Sequence, residues 1–269
     1  MYEKYWGLNA APFQNVPNPD TYYPSFMHEE AITRIIYAIR GNKGGVLFTG
    51  EVGAGKTTVS RAIVRRLANE DIDIGIITNP ALSIIDFLRE ILYQFDIRSL
   101  AAGKLDLLHE INDKLISNFQ KGKKTVLMID EAHLITDVSI LEEIRLLLNF
   151  QLNDRFLLTL ILIGQPELKK IIQNIKPLEQ RITIKYHLRH FGVDDTKNYI
   201  IFRLRYVGAE DSIFTMKAME LIHQHTGGVP RRINQLCDLS LLAGYFERKY
   251  CVDAATVMKV LADEEKHGA

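Results

Sequence analysis

The sequence predicts an α/β protein, a parallel β-sheet covered by helices and followed by a smaller all-helical domain. Three observations carry this. Short, almost wholly apolar runs recur through the first two-thirds of the chain and alternate with stretches of helical period. These runs lack the polar alternation of a half-exposed strand, so they suit strands covered on both faces, as in a parallel sheet. Beyond about residue 190 the strand signal stops and only the helical period continues.

The elements follow in order. Residues 1–27 are rich in aromatics and proline. Phe13, Pro17, Pro19, Tyr22, Tyr23 and Pro24 predict an extended arm lying on the body, with a turn at Asn18-Pro19-Asp20. Ile32, Ile35, Ile36 and Ile39 recur at helical spacing within His28–Arg40. Gly45–Gly50 is an apolar run ending in glycine and reads as a buried strand. Val59, Ile63 and Leu67 stand four apart, predicting a helix over Thr57–Leu67. Ile72–Thr78 is a second strand, closed by Asn79-Pro80. Helical patterns fill Leu82–Phe95 and Leu105–Phe119, and Thr125–Ile129 is a third strand. Helix Ile140–Leu148 precedes strands Leu157–Ile163 and Ile182–Leu188. Helices at Asp195–Leu204, Thr215–His223, Arg231–Phe246 and Asp253–Glu264 complete the chain. The expected division is an α/β domain over 1–190, with its arm at 1–27, and a helical domain over 191–269.

Composition narrows the function. With 269 residues the chain can bury a full core without disulfide or metal support. Lys+Arg and Asp+Glu are equal at 33 each. That balance argues against a strongly basic nucleic-acid coat or a polybasic membrane binder. Two cysteines are too few for a disulfide framework. Cys237 and Cys251 fall in regions that read as helical and mostly apolar, as free thiols of a reducing compartment would. The N-terminus lacks the basic start and apolar core of a secretory signal, and the longest apolar stretch, Phe156–Gly164, is about half of a membrane span. The expectation is a soluble, cytoplasmic chain without direct membrane insertion.

One motif carries chemistry. Gly50-Glu51-Val52-Gly53-Ala54-Gly55-Lys56-Thr57 fits G-x-x-x-x-G-K-[ST], with Thr58 next in the helix. The glycines let the loop curl until successive backbone N–H groups point at phosphate oxygens. Lys56 brings an ammonium toward the β and γ phosphates, and Thr57 offers a hydroxyl to Mg²⁺. The helix behind the loop presents its positive end to the same anion. The motif sits between a predicted strand and a predicted helix, the context it needs. A metal-holding acid is then expected at the end of another buried strand, and Val126–Ile129 runs directly into Asp130-Glu131. Asp130 would hold Mg²⁺, and Glu131 would polarise the attacking water. ATP as substrate and Mg²⁺ as cofactor follow.

With these motifs placed, the chain resembles the AAA+ ATPases and, within them, the general secretion pathway protein A (ExeA-type) family. The likeness rests on Tyr5-Trp-Gly-Leu8, Pro12-Phe13, Pro17-Asn-Pro-Asp20, Thr49–Thr57, Ile129-Asp-Glu-Ala-His133, Leu141-Glu-Glu-Ile-Arg145, Ile163-Gly-Gln-Pro-Glu-Leu168 and Gly228-Val-Pro-Arg-Arg-Ile-Asn234. Some of these stretches are shared with transposition helper ATPases of the TniB type. The resemblance implies a P-loop NTPase sheet in order 5-1-4-3-2 with a helical lid. It implies that Arg231, or its neighbour Arg232, reaches the γ-phosphate as sensor 2. It gives Arg181 the position of an arginine finger serving the adjacent subunit, an effect of roughly 10³–10⁵ in rate; Arg155 and Arg189 are lesser candidates. Gln165 stands where many family members carry Asn, Thr or Ser as sensor 1. Asn79 is a candidate for holding Glu131 off the water until a partner docks, and His28 opens a helix that lies against adenine in the family.

The implied function is an ATP-driven switch, a homo-oligomeric ring that assembles a secretion, pilus or other envelope complex with a protein partner. A DNA-associated ATPase and a nucleotide-gated binding module are the alternatives. Lys121, Lys123 and Lys124 form one small basic cluster and Arg61, Arg65 and Arg66 another, but overall neutrality does not favour nucleic acid.

Overall fold

The computed structural model describes residues 1–15, 21–152 and 155–267. Two compact units account for it, Phe26–Glu51 with Val59–Leu188, and Met1–Ser25 with Val52–Thr58 and Arg189–Ala269.

The first unit is built on five parallel strands, β1 (Gly45–Gly50), β2 (Ile72–Ile77), β3 (Lys124–Ile129), β6 (Leu158–Gly164) and β7 (Ile182–Leu188). A small antiparallel hairpin, β4 (Gln151–Leu152) with β5 (Arg155–Phe156), accounts for the missing numbers. The sheet runs β2-β3-β6-β1-β7, which is the expected 5-1-4-3-2 arrangement once the hairpin is set aside. Val46 lies opposite Ile161 and Leu127 opposite Leu160, so three neighbouring strands stack branched aliphatic side chains in register. β1 and β6 are buried throughout, whereas edge strand β7 alternates buried and exposed along Ile182–Leu188. An edge strand is covered on fewer sides, which is why its sequence is the most polar of the five.

Helices α1 (Phe26–Arg40), α2 (Lys56–Leu67), α3 (Ile84–Gln94), α4 (Lys104–Gln120) and α5 (Val138–Leu147) connect or flank the strands. In α1 the isoleucines at 32, 35, 36 and 39 are all buried. In α3, Phe87, Leu88, Ile91 and Leu92 are buried, and the Ser83 hydroxyl caps the helix by accepting the Asp86 N–H at 3.2 Å. Each such apolar side chain contributes roughly 1.5–3 kcal/mol of burial, set against ordering entropy. Two further helices, α6 (Glu167–Asn174) and α7 (Lys176–Glu179), lie between β6 and β7. Sequence periodicity does not reveal them, because eight and four residues are too few to display a period.

The second unit contains α8 (Val193–Tyr206), α9 (Met216–Thr226), α10 (Pro230–Phe246) and α11 (Ala254–His267). Its core gathers Ile200, Phe214, Met219, Ile222, Ile233, Leu236, Leu241 and Val257. α9 starts at a Thr215 cap and ends at Gly227 in the left-handed region. Gly228 also has positive φ, and a Cβ there would come within 2.0 Å of the Phe191 carbonyl oxygen, so only glycine fits. Cys237 is fully buried on α10, and burial pushes its thiol pKa well up. Cys251 sits in the bend before α11, not in a helix as the sequence suggests.

The N-terminal arm corrects one expectation. Grouped with the α/β domain from sequence, residues 1–25 instead belong to the helical unit. Tyr2, Leu8 and Phe13 are buried in its core, and the Trp6 indole donates to the Leu241 carbonyl at 3.0 Å. Buried Arg203 donates to the Pro12 and Gln14 carbonyls at 2.7 and 3.1 Å and to the Tyr199 hydroxyl at 2.9 Å. Tyr199 in turn donates to Asn234, whose amide donates to Asn15. The aromatic content predicts an arm laid on a body, but nothing in sequence spacing says which body. Pro17 and the Asn18-Pro19-Asp20 turn lie outside the described residues.

Arg203→Leu removes the donors that tie the arm. It should destabilise the helical unit by about 2–4 kcal/mol, because two arm carbonyls lose a charged partner. The measurements are thermal melting and limited proteolysis, with cleavage in residues 1–25 becoming faster than in wild type.

Candidate nucleotide site

β1 ends at Gly50, and the chain curls through Glu51–Gly55 before α2 begins at Lys56. Gly53 and Gly55 take φ of +75° and +99°, values that L side chains rarely adopt. Such alternation turns neighbouring N–H groups to one side and makes an anion-binding concavity at a helix N-terminus. Ala54 and Lys56 are buried, whereas Glu51 and Val52 are exposed. Thr57 and Thr58 are half-buried in the first turn of α2. No acid stands in that first turn, so the positive helix end is not neutralised by its own side chains.

Residues Val52–Thr58 pack with the helical unit. A Cβ on Gly53 would meet Val229 Cγ1 at 3.0 Å and Arg231 Cβ at 3.2 Å. Arg231 therefore stands beside the loop. Its neighbour Arg232 lines an open groove of about 480 Å³ with His225, Gln235 and Glu264. Both arginines lie in the first turn of α10, which has Pro230 at its start and no side-chain cap. Cations there oppose the helix dipole.

β3 ends at Ile129 and carries Asp130 and Glu131 off the same sheet edge as β1, with β6 hydrogen-bonded between the two strands. Asp130 is buried, and it accepts the Glu131 N–H at 2.9 Å. Glu131 has φ of +51°, a left-handed value that is costly for a non-glycine residue. The 3₁₀ turn Ala132–Leu134 follows it, and the Glu131 side chain is 41% exposed. Asn79 is exposed just beyond β2, the strand paired with β3. Gln165 directly follows β6, between β1 and β3. The ends of four of the five strands thus bring Gly50, Asn79, Asp130, Glu131 and Gln165 to one edge of the sheet.

Arg181 precedes β7 at the opposite end of the strands, and its guanidinium donates to the Leu148 carbonyl at 3.1 Å. Its own carbonyl accepts the Gly45 N–H at 3.2 Å. Arg155 is exposed on the hairpin, and Arg189 opens the helical segment of the second unit. His28 is buried in α1.

Two histidines escaped sequence reasoning. The Thr49 hydroxyl and His187 Nδ1 are 3.0 Å apart, tying the end of β1 to β7. His133 Nε2 lies 3.4 Å from Glu131 Oε2. The spacing of His133 two residues after Glu131 was visible, but contact between them depends on the left-handed turn, which no pattern of residue types announces.

Comparison with known proteins fits this geometry. Residues 39–172, which span the loop and Asp130-Glu131, match the family described as AAA domain. The chain belongs to the AAA+ ATPases. It is 41% identical over 249 residues to general secretion pathway protein A of Aeromonas hydrophila, a match covering 91% of this chain and 45% of that protein. The chain therefore spans about half the length of the curated relative it matches. Among solved structures, the Aeropyrum pernix ORC2 protein superposes with a TM-score of 0.70 at 18% identity, covering 94% of this chain and 71% of that one. The Thermotoga maritima RuvB Holliday junction branch migration motor gives 0.57 at 19%, covering 88% and 70%. At such identities the two structures attest the fold alone, a P-loop NTPase sheet with a helical C-terminal region. The AAA domain supports ATP hydrolysis by this chain. No helix among the described residues is long and apolar enough to cross a membrane.

Gly53→Ala forces a Cβ onto a positive-φ backbone already crowded by Val229 and Arg231. A loss of about 1–3 kcal/mol is expected, read as a lower melting temperature of the nucleotide-free protein. An unchanged melting temperature would mean that the loop relaxes without strain.

Proposed function

We propose that the chain binds Mg²⁺–ATP at the loop following β1, hydrolyses it, and uses the change to drive assembly of an envelope or secretion complex from the cytoplasmic side. One observation carries the reading: a glycine loop with two positive-φ residues leaves the same sheet edge as the buried acid Asp130 and the exposed acid Glu131. The backbone N–H groups of residues 52–58 and the Lys56 ammonium bind the phosphates. Asp130 and the Thr57 hydroxyl are hard oxygen donors, a set that suits Mg²⁺, which takes one or two protein oxygens and retains water. That ion would neutralise charge on the β and γ phosphates. Glu131, with its carboxylate open to solvent, orients the attacking water and accepts its proton.

Arg231 is the better placed of the two sensor-2 candidates, because its Cβ already abuts Gly53 while Arg232 faces the groove on α9–α11. Loss of the γ-phosphate would release this arginine, which shares a compact unit with the loop. Arg181 acts in trans within a homo-oligomer, exchanging its bond to Leu148 for the neighbouring protomer's nucleotide. The protein partner is of the kind that the Aeromonas relative's name indicates, a component of a secretion pathway.

Lys56→Ala should weaken ATP affinity by roughly a hundredfold, the size of one or two charge-assisted bonds. Glu131→Gln should retain affinity and lower kcat by about 10²–10⁴. Phosphate release and equilibrium binding of a fluorescent ATP analogue check both; wild-type turnover in Glu131→Gln would remove Glu131 from the reaction.

For the trans role, specific activity should rise with protein concentration. Mixing Arg181→Ala with Lys56→Ala protomers should restore part of the lost turnover. Sedimentation with and without a non-hydrolysable ATP analogue reads the assembly directly, and a monomer under both conditions would contradict the ring.

A further inference from the structure

His133 belongs to none of the roles above, yet each of its ring nitrogens faces a polar neighbour. Nδ1 lies 3.3 Å from the backbone N–H of Gln165, which donates to it. A nitrogen that accepts a hydrogen bond carries a lone pair and no proton. In the neutral ring the proton is therefore on Nε2, and Nε2 faces the Glu131 carboxylate at 3.4 Å. The imidazole is mostly buried, with its side chain 11% exposed, while Glu131 is open. Packing fixes the ring from the strand side as well. A Cβ on Gly164 would stand 3.2 Å from both the His133 N and Nδ1, so the glycine ending β6 is the space the ring occupies. The Leu134 N–H bonded to the Glu131 carbonyl at 2.9 Å closes the turn that folds the carboxylate back over the imidazole.

We infer that His133 is a positioning residue for Glu131, delivering an Nε2–H hydrogen bond whose direction is set by the Gln165 backbone at the end of β6. The inference rests on Glu131 being the carboxylate that handles the attacking water. A solvent-exposed glutamate samples several rotamers, and only some aim an oxygen at a water beside the γ-phosphate. The bond to His133 restricts that choice and leaves the other carboxylate oxygen for the water. It also makes β6 the element that sets the angle of Glu131. A shift of the Gly164-Gln165 segment moves the ring, and the ring moves the carboxylate.

The test compares ATP turnover and binding of a fluorescent ATP analogue for His133→Phe, His133→Gln, Glu131→Gln and the Glu131→Gln/His133→Phe pair. Phenylalanine fills the ring volume without a donor, and glutamine supplies an amide N–H. His133→Phe should lower kcat roughly tenfold, the scale of one hydrogen bond to a charged group, with KM and analogue affinity within about twofold of wild type. His133→Gln should recover most of that loss. The double variant should be no slower than Glu131→Gln alone, because the two act as a unit. Wild-type kcat in His133→Phe beside an inactive Glu131→Gln overturns the inference and leaves Glu131 in place. Full turnover in Glu131→Gln overturns the reading of Glu131 itself, and the inference with it. Equal loss in His133→Phe and His133→Gln, or a loss carried by affinity, marks a packing role and also overturns it. Should His133→Phe fail to fold, nitrogen-15 NMR of the histidine rings in the wild-type protein decides, using His133→Gln for assignment. The Nε2–H tautomer is expected, and an Nδ1–H tautomer contradicts the inference.

Discussion

Parallel pairing of β1 and β3 to the two sides of β6 is the constraint from which the rest follows. Because all three strands run the same way, their carboxyl ends emerge at one edge of the sheet. Gly50, from which the glycine loop departs, and the acids Asp130 and Glu131, far apart in sequence, are thereby delivered to one edge of the sheet. The register is held by strands buried on both faces, so a slip would move whole rows of Leu, Ile and Val out of their slots. Hydrophobic packing that has no chemistry of its own thus fixes the geometry of groups that do.

Some of the chain's left-handed backbone falls where the chemistry is expected. Gly53 and Gly55, in the loop after β1, and Glu131, directly after β3, all take positive φ. For the glycines the conformation is inexpensive and needed for the loop to curl. For Glu131 it costs stability, and the surrounding turn, closed by Leu134 and anchored by Asp130, maintains it. In the helical unit the N-terminal arm is fastened by a buried arginine and an aromatic cluster. The arm and the helices that carry Arg231 therefore form one cooperative body, and Val52–Thr58 packs with it.

Much of this was legible in the sequence, for identifiable reasons. Runs such as Gly45–Gly50 and Thr125–Ile129 announce themselves because burial on both faces leaves no room for polar residues. The loop motif is legible because phosphate binding demands glycine and lysine at fixed spacing, and the strand order came through the AAA+ resemblance that the motifs carry. Other features depend on tertiary context. The home of the arm depends on Arg203, nearly two hundred residues away, and α7 is too short to show a period. The contact of His133 with Glu131 depends on a left-handed residue, which residue type does not encode. The choice between Arg231 and Arg232 is a matter of helix phase at a terminus, which residue types leave open; that Arg231 lies beside Gly53 is visible only in the folded chain.

The central claim is that phosphates, metal and Asp130 meet at this edge of the sheet. Pulsed electron paramagnetic resonance with Mn²⁺ in place of Mg²⁺ and a non-hydrolysable ATP analogue tests it most directly. The account predicts a protein-bound Mn²⁺ with phosphorus hyperfine coupling in the wild type, and loss of that bound species in Asp130→Ala. Phosphorus-coupled Mn²⁺ bound equally well by Asp130→Ala, or no bound species in the wild type, would contradict it.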